Sequence, residues 1–149
     1  MKFLVTEESG RLVRWLRLMG YDTIWGRGLS LSELYRRAYG EQRVVLTRNR
    51  KIGASCFFRV VQLESPQLEA QLRQVTRDLS LTPASATRFS RCDRCNVVVE
   101  PIDKAAVAKR VPPYVFQTQA RFTRCPSCER IYWPATHWQR ACALLDRAV

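Results

Sequence analysis

The chain has 149 residues, 46% of them hydrophobic and 10% aromatic, with a formal net charge of +12. That length holds one domain with a small satellite but not two full-sized cores, and the composition excludes disordered and acidic-tail classes. No apolar run approaches membrane-spanning length, and Met1-Lys2-Phe3-Leu4-Val5 meets Thr6-Glu7-Glu8 before a signal-peptide core forms, so a soluble cytoplasmic protein with no membrane partner is expected.

Lys2 to Val5 reads as a short strand, and Gly10 to Met19 carries Leu12, Val13, Leu16 and Met19 at helical spacing before a stop at Gly20. Asp22 to Trp25 predicts a second strand. Ser30-Leu31-Ser32-Glu33 has the capping-box pattern and opens a helix that runs through Leu34 and Ala38 to Gly40. Val44 to Thr47 is a β-branched run, Phe57 to Leu63 is another, and Leu68, Leu72, Val75 and Leu79 recur at helical spacing after Pro66. The order β-α-β-α-β-x-β-α predicts a parallel sheet with helices packed on it, a small α/β domain over residues 1–80. Residues 81–89, poor in large apolar side chains, read as a linker. Residues 90–149 form the second predicted domain. In it Lys104 to Arg110 is a short helix, Pro112-Pro113-Tyr114 a rigid connection, Arg130 to Trp133 a strand, and Thr136 to Ala148 a last helix.

Four of the six cysteines form two hooks, Cys92-Asp93-Arg94-Cys95 and Cys125-Pro126-Ser127-Cys128. Two C-x-x-C hooks complete a tetrahedral thiolate site, so Cys92, Cys95, Cys125 and Cys128 are expected to hold a structural Zn²⁺ with no open position for water. The long gap between the hooks leaves room for an inserted helix. Cys56 and Cys142 are expected to pack as small apolar residues.

The surplus charge is shared along the chain rather than carried by one basic arm, and 21 of the 25 basic residues are Arg. A guanidinium offers a planar fork of donors that matches phosphate, which points to a nucleic-acid partner. A plain solubility charge is the alternative.

Several segments together resemble one family, the Mut-seven C-terminal RNases, a PIN-like nuclease domain followed by a zinc ribbon. They are Gly10-Arg11-Leu12-Val13-Arg14-Trp15-Leu16-Arg17 with Gly20-Tyr21-Asp22-Thr23, Leu46-Thr47-Arg48-Asn49-Arg50-Lys51, Ser90-Arg91-Cys92 with Cys95, Arg110-Val111-Pro112-Pro113-Tyr114-Val115, the Cys125/Cys128 hook, and Tyr132-Trp133 with His137-Trp138. The resemblance implies an endoribonuclease-like fold, RNA as partner, and Mg²⁺ or Mn²⁺ held by carboxylates at the C-terminal ends of parallel strands. It also implies an Asp at the end of the first strand and another after the Thr-Arg of a later one. Here those positions are Thr6 and Asn49. Glu7, Glu8 and Glu33 are the substitute acids if the site is catalytic. Each has a plainer role: Glu7 and Glu8 ahead of a helix, Glu33 in the capping box, with Asp22 serving a turn at the opposite strand end.

The residues expected to contact RNA are Arg11, Arg14 and Arg17 as a stripe on the first helix, and Arg48, Arg50 and Lys51 after the third strand. In the ribbon they are Arg91, Arg94, Arg121, Arg124 and Trp138, where Arg beside aromatic rings suits unpaired bases. Tyr132 and Trp133 are assigned to core packing, and His137 to packing or an RNA hydrogen bond. The expected function is binding of structured RNA (tRNA, rRNA or a ribonucleoprotein such as the ribosome) by a chain with a degenerate nuclease site. The alternatives are an active metal-dependent endoribonuclease and a subunit that docks on a protein partner.

Overall fold

The computed structural model describes residues 1–82 and 88–134, together with residues 143 and 147. Four strands, β1 (Lys2–Val5), β2 (Asp22–Trp25), β3 (Arg43–Thr47) and β4 (Val60–Gln62), form a parallel sheet in the order β2-β1-β3-β4. Phe3 lies opposite Thr23 on one side and Val44 on the other, and Val45 lies opposite Val60. Parallel neighbours need crossovers, supplied here by α1 (Gly10–Leu18) and α2 (Leu31–Gly40), whereas the β3-to-β4 connection carries no helix. After β4 comes α3 (Leu68–Leu79).

Alternation along the strands sends side chains to two buried faces. Phe3, Val5, Val44 and Leu46 pack with Leu12 and Leu16 of α1 and with Leu72 and Val75 of α3. Leu4 and Val45 pack on the other face with Leu34 and Ala38 of α2 and with Ile52. The predicted punctuation holds. Gly20 takes φ 95° just past α1, and Ser30 and Glu33 form both reciprocal bonds of the capping box. Gly10 is needed for a different reason: a Cβ there would come within 2.6 Å of the Trp25 ring, which lies across the start of α1.

The second part is an antiparallel sheet of β5 (Glu100–Ile102), β6 (Phe122–Arg124) and β7 (Ile131–Tyr132), in the order β5-β6-β7. Between β5 and β6 stand a 3-10 turn (Lys104–Val107) and α4 (Pro113–Thr118). Val107, Val111 and Phe122 form its small core, with Trp133 packed against them as expected. The chain is therefore a mixed α/β protein with a four-stranded parallel sheet and a ribbon bearing four clustered cysteines.

Four expectations need correction. The strand expected over Phe57 to Leu63 shrinks to β4, and Phe57 is exposed rather than paired. Pro112-Pro113-Tyr114 is not merely a connection, because Pro113 begins α4, where a missing N–H costs nothing and φ is already helical. Cys56 is exposed, not packed, because it lies in the irregular β3-to-β4 connection. Asp22 serves no turn: its Oδ1 accepts from the buried Arg43 guanidinium at 2.8 Å and from Asn96 Nδ2 at 2.8 Å. Linker residues 83–87, Cys142 and almost all of the expected last helix lie outside the described residues.

The ribbon sits along β2, an edge strand. Thr23 N–H donates to Asn96 Oδ1 at 3.0 Å, Thr23 C=O accepts from Arg17 Nε at 2.9 Å, and Arg91 Nε donates to the Gly20 carbonyl at 3.1 Å. Among the described residues, no helix is long and apolar enough to cross a membrane.

Candidate functional site

The four hook cysteines converge, with all four Sγ atoms within 4.8 Å of one another. Four thiolates around one ion at the usual Zn–S length stand about 3.8 Å apart, and Cys92 Sγ and Cys128 Sγ are 3.7 Å apart. Both hooks share one backbone form. Cys95 N–H points at Cys92 Sγ at 3.3 Å and Cys128 N–H at Cys125 Sγ at 3.5 Å, and the residue after each hook, Asn96 or Glu129, is left-handed at φ 65° or 62°. Burial pushes the Cys92 thiol up, but its hydrogen bond with the Tyr132 hydroxyl and the backbone N–H groups of Cys95 and Arg94 bring it down to about 7. The donor set is all sulfur, closed and partly buried, and it can hold a structural metal such as zinc.

Inside the first hook Asp93 is a buried hub. It pairs with Arg14 at 2.9 Å and Arg130 at 3.6 Å, and accepts from the Tyr132 hydroxyl at 2.8 Å. Tyr132 was expected to serve core packing; it also ties the first hook to β7. Its phenol is held well above its usual pKa by burial and by the neighbouring Cys92 and Asp93.

At the C-terminal ends of β1 and β3 stands the carboxylate of Glu8. Glu8 Oε1 accepts from the Thr6 hydroxyl, from the Thr47 hydroxyl at 3.1 Å, and from the backbone N–H groups of Arg48 at 2.7 Å and Asn49 at 3.1 Å. Burial opposes its charge, yet these donors outweigh it and hold the carboxyl below the usual range. Glu7 points instead toward Arg27 at 4.0 Å and is exposed. Glu33 is engaged with Ser30, whose N–H and hydroxyl donate to it and hold its carboxyl low. Among the described residues the four cysteines are the one cluster of three or more acidic, His or Cys ligands. The three glutamates thus do not come together around one position.

The expected RNA contacts divide into three groups. Arg48, Arg50 and Lys51 are exposed on the loop after β3, and their side chains make no hydrogen bond or ion pair among the described residues; the same holds for Arg11, Arg94 and Arg121. Arg14 is exposed but ion-paired to Asp93, and Arg124 is bridged to Glu100 at 2.6 Å and to Glu129 at 3.5 Å. Arg17 and Arg91 are structural. Arg17 donates to the carbonyls of Thr23, Asp93 and Arg94 at 2.9, 3.0 and 2.7 Å, and Arg91 to those of Gly20 and Asn96 at 3.1 and 2.7 Å. The stripe expected on α1 is therefore not continuous: helical spacing aligned the three arginines, but the ribbon covers one end of the row. Trp138 and His137 lie outside the described residues. Sequence reasoning missed Asp93 and Asn96, because residues inside and just after a metal hook give no sign of a second surface packed on them.

A comparison with curated proteins and one with solved structures each give no match. A family model, the Mut7-C RNAse domain, matches residues 1–145. That family points to a ribonuclease-like, RNA-related function. With nearly the whole chain covered and the parallel sheet and cysteine ribbon both in place, the protein belongs to the Mut7-C RNAse domain family.

Proposed function

We propose that this chain binds RNA without cutting it, with zinc as the structural metal of the ribbon. The observation that carries this reading is the state of Glu8. Its Oε1 already accepts four hydrogen bonds, and it has hydroxyl and backbone donors around it where a nuclease would array further acids. A carboxylate oxygen already taken up by four donors is a poor ligand for a divalent cation, and without a bound cation there is no metal-bound hydroxide to attack phosphate. Thr6 and Asn49, a hydroxyl and an amide, do not restore the missing negative charge.

Positive charge remains at the same strand ends. Arg48, Arg50 and Lys51 leave β3 at the edge of the sheet where ligands of parallel α/β folds bind, and their unpaired side chains are positioned for phosphate. Such contacts fix a strand without reading its bases, which suits structured RNA, whether tRNA, rRNA or a ribonucleoprotein, in the cytoplasm. The test uses purified full-length protein with mixed RNAs. Affinity should fall steeply with added salt, and replacing Arg48, Arg50 and Lys51 by Ala should weaken binding and flatten that slope. No cleavage should follow addition of Mn²⁺ or Mg²⁺. Metal-dependent cleavage abolished by Glu7→Gln with Glu8→Gln would overturn the non-catalytic reading, and no RNA binding at low salt would overturn the binding one.

A further inference from the structure

The loop that begins with Arg48, Arg50 and Lys51 ends in a different chemistry. Its far end and the outer face of α2 enclose an open groove of about 700 Å³, walled by Tyr35, Tyr39, Phe57 and Phe58. Tyr35 packs on Phe58 with ring centroids 5.4 Å apart, and Tyr39 meets Phe57 edge-to-face at 5.9 Å. The second pair is not core. Phe57 is 72% and Tyr39 63% exposed, and the two also border a neighbouring depression of about 450 Å³, so they stand as an aromatic ridge with open space on both sides.

Exposed rings of this kind cost solubility unless something covers them. The occupant is indicated by charge. No acidic side chain lines the groove, Arg36 does, and Arg36 and the adjacent Arg37 are exposed without a hydrogen bond or ion pair among the described residues. The one acid of the neighbouring depression, Glu41, is already held by Arg43 at 2.7 Å. A polyanion whose uncharged parts are flat and aromatic matches both features at once. We propose that this groove is a stacking site for unpaired nucleobases, with the Tyr39/Phe57 ridge as its platform and Arg36 and Arg37 beside it for the phosphates of the same strand.

The proposal rests on the RNA-binding reading above and adds a preference to it. A duplex presents phosphates but no free base faces, so the basic loop alone would take either form, whereas the groove takes only single strands. Base stacking tolerates any sequence, and the arrangement therefore selects strandedness rather than a motif.

Fluorescence anisotropy with a labelled oligouridine and with an RNA duplex of the same length separates the two layers. Tyr39→Ala with Phe57→Ala should weaken single-strand binding by about tenfold or more per lost stacking partner while leaving duplex affinity and the salt slope unchanged. Phe57→Trp should retain affinity and show fluorescence quenching on binding. Both positions are highly exposed, so the folded chain tolerates the changes. If the wild-type chain binds RNA and the double variant binds single strands equally well, or loses duplex and single strand alike, the stacking site is refuted and the ridge is left to a protein partner. If the wild-type chain binds neither RNA at low salt, the RNA-binding reading itself fails.

Discussion

Replacing Arg17 tests whether the first-helix arginines serve the fold or the ligand. Its guanidinium is half-buried and donates to three backbone carbonyls, one on β2 and two inside the first cysteine hook. Burial lowers its pKa, while the nearby Cys92, Asp93, Cys95 and Asp22 favour its charge. A hydrogen bond with one charged partner contributes about 1.5–3 kcal/mol, and an acceptor left buried and empty costs a similar amount. Water can replace the guanidinium at the exposed Arg94 carbonyl but less readily at the other two, so Arg17→Met should cost about 3 kcal/mol. In a chain of this length that lowers the melting temperature by about 6–12 °C. Arg11→Met, on the same helix but exposed and unpartnered, should stay within about 0.5 kcal/mol. Urea unfolding of the metal-loaded protein, followed by tryptophan fluorescence, measures both. Equal stability of the two variants would refute the seam role of Arg17, and a loss of RNA affinity greater for Arg17→Met than for Arg11→Met, with stability unchanged, would return it to the ligand surface.

Full removal of metal by a chelator should abolish the cooperative melting of the ribbon, read by circular dichroism, because its apolar core is only a few side chains; unchanged melting would refute a structural site. Glu8→Ala should cost about 1 kcal/mol at neutral pH, the solvent around this exposed side chain screening the rest. Because the folded state lowers the Glu8 pKa, its contribution is complete above the ordinary carboxylate range and is lost as pH falls below about 4.3. The stability gap between wild type and Glu8→Ala should therefore narrow between about pH 5 and pH 3, and a gap constant over that window would exclude the anionic role.

The α/β part was legible because its signals are local and agree with one another. A glycine stop, a capping box and short β-branched runs each name their own element, and parallel pairing follows from their order. The cysteine hooks were legible because metal geometry dictates their spacing. What the sequence concealed were contacts between the two parts. Arg14 and Arg17 carry the same helical signature whether they face solvent or a neighbouring surface, and nothing in Asp93 or Asn96 marks them as partners of α1 and β2. The fate of Glu8 was equally hidden. A glutamate just before a helix reads as a dipole partner, and only the fold brings the Thr47 hydroxyl and the backbone of Arg48 and Asn49, about forty residues on, to one of its oxygens.

The placement of the ribbon on β2 bears on how the molecule behaves in crowded solution. An open parallel edge offers unpaired main-chain groups to any passing strand, the first step of edge-to-edge aggregation. Here Thr23 has both its outward N–H and its outward C=O capped, by Asn96 and Arg17. Asn96, just after the first cysteine hook, thus shields an edge N–H that a chain whose ribbon has come apart would leave open to a neighbouring strand.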